Sequence, residues 1–233
     1  MILCKSAISS NIQRGYLQWG KIKKYYTFAE ELLNSISHGI GAVLAILGLV
    51  FGINYTAHLS CTKGVVGVSI YDTTLILLYT MSTVYHAVKP SKAKAILRIF
   101  AHCSIYMLIA GSYTPIIICL YNGLARTIFL SITWIIALFG IALNIINLEK
   151  FEKLSLTCYL VMGWQVVFML KQVLKLVSSK GIFLLVVGGL CYSIGAVIYI
   201  LGKKYKYMHS VWHIFVLTGG IFHYFSILFY IIK

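Results

Sequence analysis

The chain has 233 residues, of which 60% are hydrophobic and only 11% charged, against roughly a quarter charged in an ordinary soluble domain. That leaves too little polar material to cover a soluble surface and points to an all-α polytopic membrane protein. The net charge of +15 lies between apolar runs, without the aromatic interleaving that suits nucleic acid, so the partner it implies is an anionic lipid surface and no nucleic acid. In chain order, residues 1–29 form a basic arm, "MILCKSAISSNIQRGYLQWGKIKKYY" onward, too polar after residue 4 for a cleaved signal peptide. Residues 30–233 then read as one seven-helix transmembrane domain. Its apolar runs fall at 35–57, 65–87, 99–121, 125–147, 156–177, 181–201 and 210–232, each holding the roughly 20 residues a helix needs to cross a hydrocarbon core. The fifth is the least clean, because it carries Gln165 and Lys171; Lys171 can snorkel from near the helix end. Connectors such as "YNGLA" and "KPSKAKA" leave no room for a soluble domain. The six cysteines (Cys4, Cys61, Cys103, Cys119, Cys158 and Cys191) show no CxxC spacing and read as small packing residues.

Lysine and arginine orient the bundle. The arm, the 2–3 loop (Lys89, Lys92, Lys94, Arg98), the 4–5 loop and the 6–7 loop together hold fourteen, and the opposite side holds six. The positive-inside rule then predicts a cytoplasmic N-terminus and an extracellular C-terminus.

Direction gives depth. His38 opens span 1, His86 ends span 2, His102 opens span 3, and His209 and His213 open span 7, so five of the seven histidines share the cytoplasmic layer. His209 and His213 are four apart on one helix face, and Ser82 and His86 have the same spacing. Glu31, Asn34 and His38 stack on one face of span 1, with Glu31 expected at the surface end. His86, His209 and His213 can supply three nitrogens to Zn²⁺, which takes imidazoles and keeps a position open for water. Ser82, one turn deeper, can hydrogen-bond a ligand, a water or a developing oxyanion. An HxxxH pair on its own is more often structural than metal-binding. His38 and His102 also read as interfacial residues with one wet edge, and Tyr85, Tyr106 and Trp212 as membrane-belt anchors. Asp72 is costly in a membrane and is expected to be functional, paired or within reach of water at the outer face. His223 shares its depth, which suggests a contact between them.

The stretches "EELLNSISHGIG", "LLYTMSTVYHA", "IYMLIAGSYTP", "GGLCYSIGAVIY" and "HSVWHIFVLTGGIFHYF", in this order across all seven spans, resemble the haemolysin III family, within the wider progestin and adiponectin receptor group. The resemblance implies a seven-helix bundle with a zinc site at His86, His209 and His213, with Ser82 beside it. It also implies two kinds of activity: zinc-dependent hydrolysis of ceramide-like lipid amides, or a non-enzymatic membrane-perturbing, pore-associated or lipid-homeostasis role with a structural zinc. A ligand-sensing receptor is a third reading. The family usually reads "LDH" at the start of span 3, whereas "RIFAHCSIY" puts Ala101 at the aspartate position, and an alanine can neither accept a proton nor orient a water.

Overall fold

The computed structural model describes residues 26–202 and 204–232; most of the basic arm, with Cys4, lies outside the described residues. The helices are α1 (Phe28–His58), α2 (Thr62–Ala87), α3 (Lys92–Leu120), α4 (Gly123–Asn147), α5 (Glu152–Gly163), α6 (Val166–Leu176), α7 (Ser179–Gly202) and α8 (Met208–Ser226). A π-helical turn, Ile227–Ile231, ends α8. With α5 and α6 taken as one crossing, there are seven spans long and apolar enough for a membrane, and there is no strand among the described residues.

The first three spans start where a side chain replaces the missing partner of the first amides. Thr27 and Glu30 form a reciprocal capping box at α1, and Ser91 Oγ accepts from Lys94 N at 3.2 Å to open α3. Glu30 Oε1 also accepts from the backbone N–H of Tyr207 at 2.8 Å. This ties the start of α1 to the start of α8, the two elements that carry most of the site.

The bundle turns its polarity inward. Asn34, His38, Asp72, Thr133, Asn144 and His213 are buried, while Leu33, Val43, Leu47, Ile135, Leu138, Phe183 and Val197 face outward, as expected when lipid rather than water is the solvent. The fifth span is not the continuous helix its apolar run predicts: it breaks between Gly163 and Val166. The Tyr113 hydroxyl mends the break by donating to Gly163 O at 2.5 Å and accepting from Val166 N at 2.9 Å, so irregular backbone at this depth keeps its hydrogen bonds. Gln165, the polar residue that made the run look unclean, donates to Thr133 Oγ1 at 2.5 Å.

Glycines seat α8 against α7. Gly181, Gly188, Gly195 and Gly202 recur every seven residues along α7, and all four are buried. A Cβ on Gly188 would overlap the His223 ring and meet Gly219 O at 3.1 Å. Close helix approach through small residues is a main source of packing in lipid. Gly188→Ala is therefore expected to cost roughly 1–3 kcal/mol, the usual range for overpacking, and to lower the melting temperature of the detergent-solubilised protein.

The same seam overturns the expected His223–Asp72 contact. His223 lies four residues after Gly219, and both face α7; its ring bonds Leu185 O at 3.2 Å and packs on Tyr192. The α2–α8 contact is instead made by Tyr71, which donates to Gly220 O at 3.0 Å. The depths matched but the azimuths did not. Asp72 does not reach water either: it is fully buried, and neither carboxylate oxygen has a hydrogen-bond partner among the described residues. Tyr106 is no belt residue: it is fully buried, with its ring against Gly140.

Candidate metal centre and cavity

His86 comes from the last turn of α2, and His209 and His213 from the first two turns of α8. All three are buried, and one nitrogen from each lies within 4.8 Å of the others. Their ring centroids are 4.9–5.3 Å apart. The trio selected from topology thus converges in space, and such a set can hold a metal ion.

The first turns of α1 and α3 support it. Glu31 Oε2 lies 2.6 Å from His86 Nδ1, and Glu31 Oε1 lies 2.6 Å from Lys94 Nζ. Lys94, itself buried, also donates to Val88 O at 3.0 Å. A carboxylate accepts only, so the proton belongs on His86 Nδ1, which leaves Nε2 for a metal. His213 is oriented the same way by a backbone acceptor: its Nδ1 lies 3.1 Å from Asn34 O, with Ser37 Oγ at 3.3 Å. Its Nε2 is buried with no hydrogen-bond partner among the described residues, an unusual state for a ring nitrogen unless something else binds there. Asn34 completes the frame by accepting from Ser210 Oγ at 2.6 Å.

Several side chains depart from their sequence-based readings. Glu31 is not stranded at the surface, because its side chain folds inward to reach His86. His38 has no wet edge: it is 1% exposed and stacks on His213 at 3.7 Å between ring centroids. Trp212, expected as a membrane-belt anchor, packs on His209 and His213 and lines the cavity. Tyr85 and His102 line that cavity too.

The cavity has a volume of about 420 Å³, within the usual range for small-molecule sites. It begins at His86 and His209 and reaches His223, fourteen residues further along the last span, about 21 Å at helical rise. Ser82 is buried on its wall and hydrogen-bonds none of the described residues, and Ala101 lines it nearby. Beyond the histidines the walls are mostly Leu, Ile and Val. Leu160, Trp164, Val167 and Leu170 of the fifth span and Val186 of α7 both line the cavity and are exposed on the outside of the bundle. The cavity therefore has a sideways mouth, crossed by a hydrogen bond of 3.1 Å from Trp164 Nε1 to Ser193 Oγ.

Fold and site together define a class: a multi-pass helical membrane protein with a buried histidine trio, able to hold a metal, at the head of an apolar cavity. Within that class the chain belongs to the haemolysin III family, whose model, described as "Haemolysin-III related", matches residues 26–224. It is similar to the "Hemolysin-3 homolog" of Bacillus subtilis, with 40% identity over 89% of this chain and 97% of the relative. It is 36% identical to the "Hemolysin-3" of Bacillus cereus over 87% of this chain and 92% of that one. The human "Monocyte to macrophage differentiation factor" is 31% identical over 68% of this chain and 67% of its own length.

Proposed function

We propose that this chain is a zinc protein of the cell membrane that acts on lipid amides of the ceramide-like class, with its N-terminus and metal site on the cytoplasmic side. The charge count of fourteen against six supports that orientation. The observation that carries the reading is the union of site and cavity: of three converging imidazoles, His86 and His209 line the end of an apolar cavity that opens sideways between membrane spans, and the third, His213, lies buried behind them with its Nε2 orphaned. The donor set suits zinc, which binds imidazole nitrogen in tetrahedral sites.

Zinc bound there would bring water toward ionisation at neutral pH and polarise a carbonyl. The protein supplies the rest. Glu31 and Asn34 O fix the His86 and His213 rings with Nε2 turned inward. Ser82 offers a hydroxyl at the cavity wall, suited to donate to an oxyanion. The hydrocarbon walls take the acyl chain from the bilayer and exclude water from around the amide.

A second reading has its own observation. Ala101 stands on the cavity wall where a proton-transfer carboxylate would be needed, and this favours a zinc that staples α2 to α8 in a membrane-perturbing protein, an activity suggested by the relatives' name. Metal analysis tests what the two readings share. Purified protein is expected to carry about one zinc per chain, and the His209→Ala/His213→Ala double variant almost none; a metal-free wild type would remove the basis of both. Fatty-acid release from a lipid amide, lost in His86→Ala, separates the first reading from the second.

A further inference from the structure

A metal site needs an entry path, and the trio has two sides. On one side lies the cavity. Every exposed residue of its lining, Leu160, Gly163, Trp164, Val167, Leu170 and Val186, belongs to the sideways mouth between membrane spans. Near the trio its walls are closed, since Tyr85, His102 and Tyr199 are none of them exposed. A hydrated dication does not pass that way, because the hydrocarbon outside the mouth and the Leu, Ile and Val side chains inside it cannot replace its water. On the other side lies Tyr26. It does not line the cavity, yet its ring centroid lies 4.7 Å from that of His209 and 5.9 Å from that of His86, within the range of aromatic contact. It is half-buried, whereas Thr27, Phe28 and Ala29 after it are exposed. The turn of chain that places it is fixed to the starts of two helices. Thr27 N and Thr27 Oγ1 donate to Glu30 Oε2 at 2.8 and 2.9 Å, and Glu30 Oε1 accepts from Tyr207 N at 2.8 Å.

We propose that Tyr26 is a lid on the metal site: zinc enters and leaves the trio at the end of the bundle where α1 and α8 begin, when the Tyr26 ring swings off His209 and His86. The half-buried ring has solvent on its outer side to turn into, while the backbone behind it stays anchored through Glu30. Two kinds of traffic are thereby kept apart. The cation passes the bundle end, and apolar molecules pass the sideways mouth. The inference rests on the zinc reading of the trio and adds to it a route and a control on exchange. Such a lid sets how fast the metal comes and goes and not how tightly it is held, because it hinders entry and exit alike.

The test is the rate of zinc transfer. Zinc-loaded protein in nanodiscs, with both faces in water, is mixed with excess chelator, and uptake by stripped protein is followed with a zinc-sensitive dye. Tyr26→Ala is expected to release and to take up zinc about 10-fold or more faster than wild type, since two ring contacts, each worth roughly 2–10-fold, hold the lid shut. Its zinc content and equilibrium affinity should be unchanged. Tyr26→Phe should match wild type, because the ring is the lid. Tyr26→Trp, a larger lid, should slow both directions, and this pair gives the reading if Tyr26→Ala does not fold. Trp164→Ala, which widens the sideways mouth, should leave exchange as it is. Wild-type rates in Tyr26→Ala, faster release without faster uptake, or acceleration by Trp164→Ala overturns the proposal. A zinc-loaded protein indifferent to Tyr26 would leave the metal site standing while the lid falls, and a wild type that takes up no zinc removes both.

Discussion

The Ala101→Asp chain is expected to hydrolyse a lipid amide about 10²–10⁴-fold faster than wild type, the usual worth of a positioned general acid–base group. The substitution adds to the site without disturbing its frame. Ala101 lines the cavity, so the new carboxyl has room, and the loss of helix propensity is only about 0.7 kcal/mol. Arg98 and Lys94 precede it by three and seven residues on the same helix face, and their charge favours an ionised carboxylate. His86, Ser82 and His102 line the same cavity, so the carboxyl opens into the space that the imidazole and hydroxyl also border. The measurement is turnover with and without a chelator, at matched zinc content, in Ala101→Asp and in Ala101→Asn. A gain that needs both the carboxylate and zinc identifies wild type as a hydrolase lacking its proton carrier. If Ala101→Asp binds zinc and stays inert, the metal is a staple and the lipid-amide reading fails.

The seven crossings and the histidine trio were legible in the sequence because they depend on two coarse quantities, apolar run length and chain direction. What was misread depends on finer ones. Hydropathy windows start the first, third and fifth spans at residues 35, 99 and 156, whereas the helices begin at Phe28, Lys92 and Glu152. The windows discard the polar first turns, and those turns hold Glu31, Asn34, Lys94 and Glu152, the side chains that orient the trio or line its cavity. A signal for Glu31 did exist: it lies seven residues before His38, on the same face as Asn34. Depth was counted along the helix axis alone, and a glutamate side chain can reach most of a turn beyond its own Cα. The His223–Asp72 pairing failed for the complementary reason. Depth alone cannot say which neighbour a residue faces, and the heptad of α7 glycines, which sets the α8 azimuth, becomes informative only once α7 and α8 are known to pack together. The break in the fifth span was equally hidden, since Gly163 and Gln165 interrupt the helix only because Tyr113 and Thr133, from other spans, take up their polar groups.

Glu31 is where support of the metal and support of the fold meet, and they can be separated. Glu31→Gln keeps the shape but removes the charge that holds the proton on His86 Nδ1, so zinc affinity, read by chelator competition, is expected to fall about 10–100-fold, as for other outer partners of metal-bound histidine. The same substitution strands Lys94, whose side chain is 8% exposed and bonded to Glu31 at 2.6 Å. Leaving a buried cation unpaired costs up to roughly 3–5 kcal/mol, the upper end applying to full burial; the 21% exposure of Glu31 puts this pair below it. Glu31→Gln alone should therefore lose both stability and affinity. Adding Lys94→Met removes the stranded charge and replaces it with an apolar chain of similar length, which should restore most of the melting temperature. It should not restore zinc affinity, because His86 still lacks its carboxylate. Recovery of both together would reduce Glu31 to a packing element of the α1–α3 junction, and recovery of stability alone would identify it as the residue that sets the affinity of the trio.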